Sequence, residues 1–269
     1  MDLHLRDRVY LVTGGSRGLG FAAAEALVAE GARVVVSSPR EASAAAAAAR
    51  LADAAAADSV AWLAADNADA ATPERLIAAA EDRFGRLDGA LVSVGGTPPG
   101  TVATTSDEAW RGAFESIFLG AVRLARQLGT YLAGDGHGPA SGALAGTGGS
   151  VVFVLASSVR VPLAELAVSN GLFPGLAGVV KMLAEDLGPC GIRMNGILPV
   201  RIATERVRQL DALSGDPDEV RAQKSKDIPL RRYGELEEFG RVAAFLLSPA
   251  ASYITGAMIP VDGGSIRAI

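Results

Sequence analysis

Short apolar runs recur along the chain, and the stretches between them carry apolar residues three and four positions apart. Val9–Val12, Arg33–Ser37, Val60–Leu63, Asp88–Ser93, Ser150–Leu155, Ile192–Leu198 and Ala257–Val261 are rich in aliphatic residues and bounded by turn formers or charge, which predicts seven strands. Between them, Gly18 to Glu30 and Glu41 to Ala55 read as helices. Another opens at Thr72-Pro73-Glu74, where threonine can cap and proline needs no N–H in a first turn. From Asp107 onward, Trp110, Phe114, Ile117, Ala121, Leu124 and Leu128 fall on one helical face, since a helix advances about 3.6 residues per turn. Leu172, Leu176, Val180, Leu183 and Leu187 mark a further helix that Gly188-Pro189 stops, and Phe239, Val242, Leu246 and Leu247 mark the last. Strands alternating with helices predict a doubly wound parallel α/β sheet with helices on both faces, as one domain over residues 1–269.

The first strand runs into Thr13-Gly14-Gly15-Ser16-Arg17-Gly18-Leu19-Gly20, which opens the first helix. Glycines between a strand and a helix permit a tight turn and close approach of backbone to a pyrophosphate, and the helix start supplies unpaired N–H donors. This reads as a Rossmann-type nucleotide-binding turn rather than a glycine-rich turn without a ligand, and is the strongest local signal of chemistry in the chain.

Composition removes other classes. Of 269 residues 49% are hydrophobic and only 5% aromatic, and the formal charge is −5, so no basic, aromatic-interleaved stripe exists for nucleic acid. Two histidines and the single Cys190 assemble neither a zinc cluster nor an intrachain disulfide. The N-terminus lacks the apolar stretch of a secretory signal, and no charge-free apolar segment reaches membrane-spanning length, so the expectation is a cytoplasmic protein without a membrane partner.

Two stretches interrupt the alternation. Leu132 to Gly149 is glycine-rich and reads as a surface insertion. Pro199 to Pro229 mixes Arg206, Arg208, Arg221, Lys224 and Lys226 with Asp211, Asp216, Asp218 and Glu219. Because it follows a strand's carboxyl end, the part at about 200–229 reads as a substrate cover, or else as a solvated helical excursion.

In this order the segments resemble the short-chain dehydrogenase/reductase family over essentially the whole chain. The resemblance rests on Thr13–Gly20, Asp66, Lys181–Asn195, Pro199 and Thr204, Pro229–Gly234, Tyr253–Gly256 and Val261–Gly264. It implies that Gly14, Ser16, Arg17, Gly18, Leu19 and Gly20 form the dinucleotide turn, with Asp66 and Asn67 beside the adenine. It further implies that Gly95 lies on the cofactor path, that Pro199 and Thr204 flank the nicotinamide, and that Asn195 is structural.

The end of the second strand reads Val36-Ser37-Ser38-Pro39-Arg40, which offers hydroxyls and a cation but no carboxylate. An acidic residue there would bind the ribose diol of NAD and repel a 2′-phosphate. Ser38 and Arg40, with Arg17 in the glycine turn, therefore favour NADP(H) over NAD(H).

Departures from the family pattern bear on chemistry. Aligning Lys181–Asn195 puts Ser169 on the family's catalytic tyrosine, Phe173 on its lysine and Ile117 on its helix asparagine. The usual Asn-Asn-Ala-Gly reduces to Ser93-Val94-Gly95-Gly96, and the catalytic serine falls on Ser158 or Ser157. Ser158, Ser169 and Asn170 are then candidates to polarise a carbonyl together, although Ser169 would equally serve to cap a helix starting near Gly171. The expected function is a divergent NADP(H)-dependent oxidoreductase transferring hydride to or from a small carbonyl, alcohol or polarised double bond. A nucleotide-binding sensor, scaffold or partner protein without turnover, and a non-redox isomerase or lyase, remain as alternatives. The resemblance also implies a homodimer or homotetramer, paired through helices near Asp107–Leu132 and Glu165–Gly188.

Overall fold

In the first strand, β1 (Val9–Val12), Val9 and Leu11 enter one core while Tyr10 and Val12 enter another, as the two-residue period of a strand requires. The computed structural model describes residues 1–53, 57–134 and 148–268. Strands β2 (Arg33–Ser38) and β4 (Gly89–Ser93) flank β1, with Val12 opposite both Val36 and Leu91. With β3 (Val60–Ala64), β5 (Gly149–Val154), β6 (Ile192–Pro199) and β7 (Met258–Val261) they form a seven-stranded sheet in the order β3-β2-β1-β4-β5-β6-β7. All its pairings are parallel, so the expected doubly wound sheet is what the chain forms. Asp88 lies just outside β4, and its carboxylate accepts the Val9 N–H and pairs with Arg86.

The helices are α1 (Gly18–Ala29), α2 (Glu41–Asp53), α3 (Thr72–Phe84), α4 (Asp107–Ala113), α5 (Gly120–Ala133), α6 (Ala167–Leu187), α7 (Glu205–Ala212), α8 (Pro217–Ser225) and α9 (Leu236–Leu247). Helices α1, α2 and α9 cover one face of the sheet, and α3 to α6 the other. Both faces of a parallel sheet are thereby removed from water, which is why its strands read as unbroken apolar runs. The carboxyl end of α9 is held by a buried arginine. Arg193 donates from β6 to the carbonyls of Leu246 (2.8 Å) and Ser248 (2.9 Å), placing a cation at the negative end of the helix dipole. Burial lowers its guanidinium to about 10.

Several expectations need correction. Thr72 does not cap α3: Ala71 precedes the helix, and the Thr72 hydroxyl donates to the Asp66 carbonyl, tying the helix to the end of β3. The apolar face expected from Trp110 to Leu128 is broken by a π-helical turn at Phe114–Leu119. A wider turn shifts the helical phase of the residues after it, so Ile117, Ala121, Leu124 and Leu128 are buried while Phe114 is 44% exposed. Helix α6 begins four residues before Gly171 and carries Pro174 inside it. By length and composition α6 could cross a bilayer, but half of its most apolar window is buried in this fold, as in a core helix. Most of the expected insertion between Leu132 and Gly149, and the expected helix end at Ala55, lie outside the described residues.

Candidate active site

The sheet order reverses between β1 and β4, and crevices at the carboxyl ends of strands on either side of such a point are where doubly wound folds bind ligands. Every binding residue expected from sequence sits at this edge. Thr13 fixes the crevice, its hydroxyl donating to the Ser93 carbonyl and accepting the Ser93 N–H. Gly14 and Gly18 both have φ near +60°, a conformation glycine adopts without steric cost. Gly20 is needed for contact: a Cβ there would lie 2.4 Å from the Gly14 carbonyl oxygen. The glycine turn is thus folded directly onto the first turn of α1. Arg17 precedes α1 in an extended conformation without a side-chain cap, and no acidic residue lies in the helix's first turn. The Gly18, Leu19 and Gly20 N–H groups therefore face an electropositive mouth, which fits a pyrophosphate. The Leu19 side chain packs on the core, so only its backbone serves the site. Ser16 is half-buried in the same turn.

Ser38 is buried at the end of β2, whereas Arg40 and Arg17 are exposed and carry no ion-pair partner among the described residues. Asp66 follows β3, exposed, and accepts the Ala68 N–H at 2.9 Å, which shapes the turn that presents Asn67. Gly95, at φ 84°, lies open beyond β4. Pro199 ends β6 opposite Val261, and Thr204 caps α7 by accepting the Val207 N–H at 3.1 Å. Asn195 is fully buried and pairs with Ile254 and Ala257, a structural role as expected.

A short 3-10 turn, Ser157–Val159, follows β5, and Ser158 meets the first turn of α6 there. Its hydroxyl lies 2.9 Å from that of Ser169 and 3.2 Å from the Ser169 carbonyl oxygen. Both serines are almost fully buried. Ser169 is not a helix cap, since α6 already begins at Ala167. That start is set from a distance, where Gly100 donates to Glu165 and accepts from Ala167. Asn170 already holds a partner within the chain. Its amide donates to the Leu163 carbonyl and its oxygen accepts the Leu163 N–H, both at 2.8 Å, so it clamps the loop before α6. Phe173, one turn beyond Ser169, is buried in the core.

Sequence reasoning did not single out the network that organises residues 200–229. Asp211, buried in α7, accepts from Arg201 (2.7 Å), Lys224 of α8 (2.8 Å) and the Tyr233 hydroxyl (2.9 Å). Burial alone would raise the Asp211 carboxyl, but hydrogen bonds from Lys224 and Tyr233 and the Arg201 charge outweigh it and hold it below the usual range. Burial, reinforced by that carboxylate, pushes the Tyr233 phenol up to about 12. Arg206, one of the charges in that segment, reaches from α7 to the Thr97 carbonyl at 2.7 Å. The available signal was a basic residue two positions after a helix cap in a segment leaving a strand's carboxyl end. Among the described residues no group of three His, Cys, Asp or Glu side chains could hold a metal ion.

Known proteins resemble this chain over nearly its whole length. The family model described as enoyl-(acyl carrier protein) reductase matches residues 14–265. The short-chain reductase protein NovJ of Streptomyces niveus is 30% identical over 96% of this chain and 94% of its own. Levodione reductase of Leifsonia aquatica is 33% identical over 97% and 95% of the two chains. A crystal structure of levodione reductase superposes with a TM-score of 0.89, at 28% identity, over 98% of this chain and 99% of that one. L-sorbose reductase from Gluconobacter frateurii, solved with NADPH and L-sorbose, gives a TM-score of 0.89 at 26% identity over the whole of both chains. With its glycine turn at the switch point, the chain belongs to the short-chain dehydrogenase/reductase family of oxidoreductases.

Proposed function

We propose that the protein is an NADP(H)-dependent oxidoreductase acting on a small carbonyl, alcohol or polarised double bond, with Ser158 and Ser169 as its polarising donors. One observation supports this above others: an uncapped α1 N-terminus, free of acidic residues, at the switch point of the sheet, with Arg17 and Arg40 exposed and without an ion-pair partner among the described residues beside it. The nicotinamide would supply hydride exchange, and the chain's own residues bind and orient. Gly14, Gly18 and Gly20 admit the pyrophosphate; Asp66 and Asn67 border the adenine; Gly95, Pro199 and Thr204 border the remainder. Arg17 and Arg40 hold the 2′-phosphate, since two guanidinium groups neutralise it and donate directionally.

At the reacting end, Ser169 donates to the Ser158 oxygen, and Ser158 turns its own proton from the Ser169 carbonyl to a substrate oxygen. Such a pair stabilises developing negative charge by aimed hydrogen bonds rather than by ionising. Phe173 leaves this end apolar and offers no charge of its own. Helices α7 and α8 cover the substrate as one unit, held by Asp211. Phe114 on the π-helical turn and Met182 on α6 expose apolar surface on the helices expected to pair in a homodimer or homotetramer. The protein would work in the cytoplasm.

The test is oxidation of NADPH against a panel of small ketones, ketoses, cyclic diketones and conjugated alkenes, with NADH in parallel. Turnover with any member supports hydride transfer. NADPH binding without turnover across the panel would count against the substrate class, and equal affinity for NADH against the cofactor choice. Light scattering at micromolar concentration checks the assembly.

A further inference from the structure

Arg206 stands where the lid and the nucleotide cleft meet. Thr204, two residues earlier, brings its methyl group against Gly18: a Cβ built on that glycine would meet it at 3.8 Å. The first turn of α7 therefore faces the glycine turn. From it the Arg206 guanidinium crosses to the segment leaving β4, where Nη2 donates to the Thr97 carbonyl at 2.7 Å. Nε passes 3.1 Å from where a Cβ of Gly96 would lie. The base of this segment is bonded back to the glycine turn, because Thr13 holds Ser93 and Gly14 abuts it. Arg206 thus bridges the crevice that begins at α1.

The lid is rich in acids, yet Arg206 has no carboxylate partner among the described residues. Asp211 takes Arg201 and Lys224, Glu205 takes Gln209, and Glu235 takes Arg221. A half-buried guanidinium held by one neutral carbonyl is under-used, since charged acceptors bind it roughly twice as strongly and in bidentate fashion. We propose that Arg206 binds the pyrophosphate of the dinucleotide, exchanging the Thr97 carbonyl for phosphate oxygens and drawing α7 over the cleft. The proposal rests on reading the cleft as a nucleotide site. It assigns Arg206 to the part that NADH and NADPH share, distinct from the 2′-phosphate pair Arg17 and Arg40.

Fluorescence titration of NADPH and NADH with the wild type, Arg206→Gln and Arg206→Lys, at low and high salt, tests it. Arg206→Gln should weaken both dinucleotides about tenfold, and Arg206→Lys should recover part of the loss. Removing one phosphate-binding charge should also flatten the salt dependence of affinity, which a purely structural role for the Thr97 contact would not do. As a second readout, NADPH should protect residues 201–229 from limited proteolysis in the wild type more than in Arg206→Gln. Thermal denaturation checks that each variant folds. Arg206→Gln binding both dinucleotides as the wild type does, or losing NADPH alone, overturns the proposal while leaving nucleotide binding intact. A wild type that binds neither dinucleotide overturns both.

Discussion

The Ser158 and Ser169 hydroxyl oxygens lie 2.9 Å apart, and no titratable side chain among the described residues is hydrogen-bonded to either. The pair can therefore polarise a bound oxygen but has no neighbour to ionise it.

On the proposed reading the two serines work as one unit. Ser158→Ala and Ser169→Ala should each lower kcat by roughly ten- to a hundredfold, a moderate version of losing an oxyanion donor. The double variant should lose little more than either single one, because Ser169 acts on the substrate oxygen only through Ser158. Turnover in the wild type should be level from about pH 6 to about pH 9, since no general acid of intermediate pKa takes part. Steady-state kinetics paired with thermal denaturation decide the matter. Unchanged turnover in a folded Ser169→Ala protein would remove that residue from the chemistry.

Ser169→Tyr offers no route back to the ordinary family chemistry. Ser169 is 2% exposed and Phe173 lies one turn further along α6, in the core. A phenol placed there must displace packed neighbours, with an expected cost of about 1–3 kcal/mol, and it would still lack a lysine beside it. The variant should unfold at lower temperature and gain no turnover; a stable, faster enzyme would show that the pocket is roomier than its burial implies.

Arg17 and Arg40 are exposed and have no ion-pair partner among the described residues, so their contribution should appear only when a 2′-phosphate is present. Arg17→Ala and Arg40→Ala should each weaken NADPH about tenfold and change NADH affinity by much less. Calorimetric titration with both dinucleotides measures the split. A similar loss for NADH would assign the two arginines to the common part of the cofactor instead.

The sheet was legible because its signals are local. A two-residue period in the strands, a period near 3.6 in the helices and glycines at one strand end each need only a few neighbouring residues. The features that escaped depend on partners far along the chain. The start of α6, which takes Ser169 out of the cap position, is set by Gly100 pairing with Glu165 and Ala167. The engagement of Asn170 was hidden because the loop that returns Leu163 to it has no sequence signature. The acceptor of Arg206 lies 109 residues earlier. The π-helical turn that exposes Phe114 is likewise invisible to a count that assumes one helical period throughout.

The Asp211 cluster gives the proposed lid, α7 and α8, a pH dependence whose sign is set by the direction of its shift. Its carboxyl is held below the ordinary value, so the folded state binds fewer protons there than the unfolded state does. The stability it contributes is complete above the unfolded value of about 4 and is lost as pH falls through the lower folded value. Asp211→Asn keeps one acceptor oxygen, turns the other into an N–H donor and removes the charge that Arg201 and Lys224 share, each of which is 31% exposed and can turn to water. The cost to the lid should therefore be moderate, about 1–3 kcal/mol near neutral pH. Hydrogen exchange of residues 201–229 in the wild type and Asp211→Asn, tracked from neutral pH to about pH 3, reads it directly. Protection should differ at neutral pH, and the difference should shrink as pH falls below the unfolded value. A difference that persists unchanged to the lowest pH would mean that Asp211 holds the lid by shape and hydrogen bonding alone, and that its charge adds nothing.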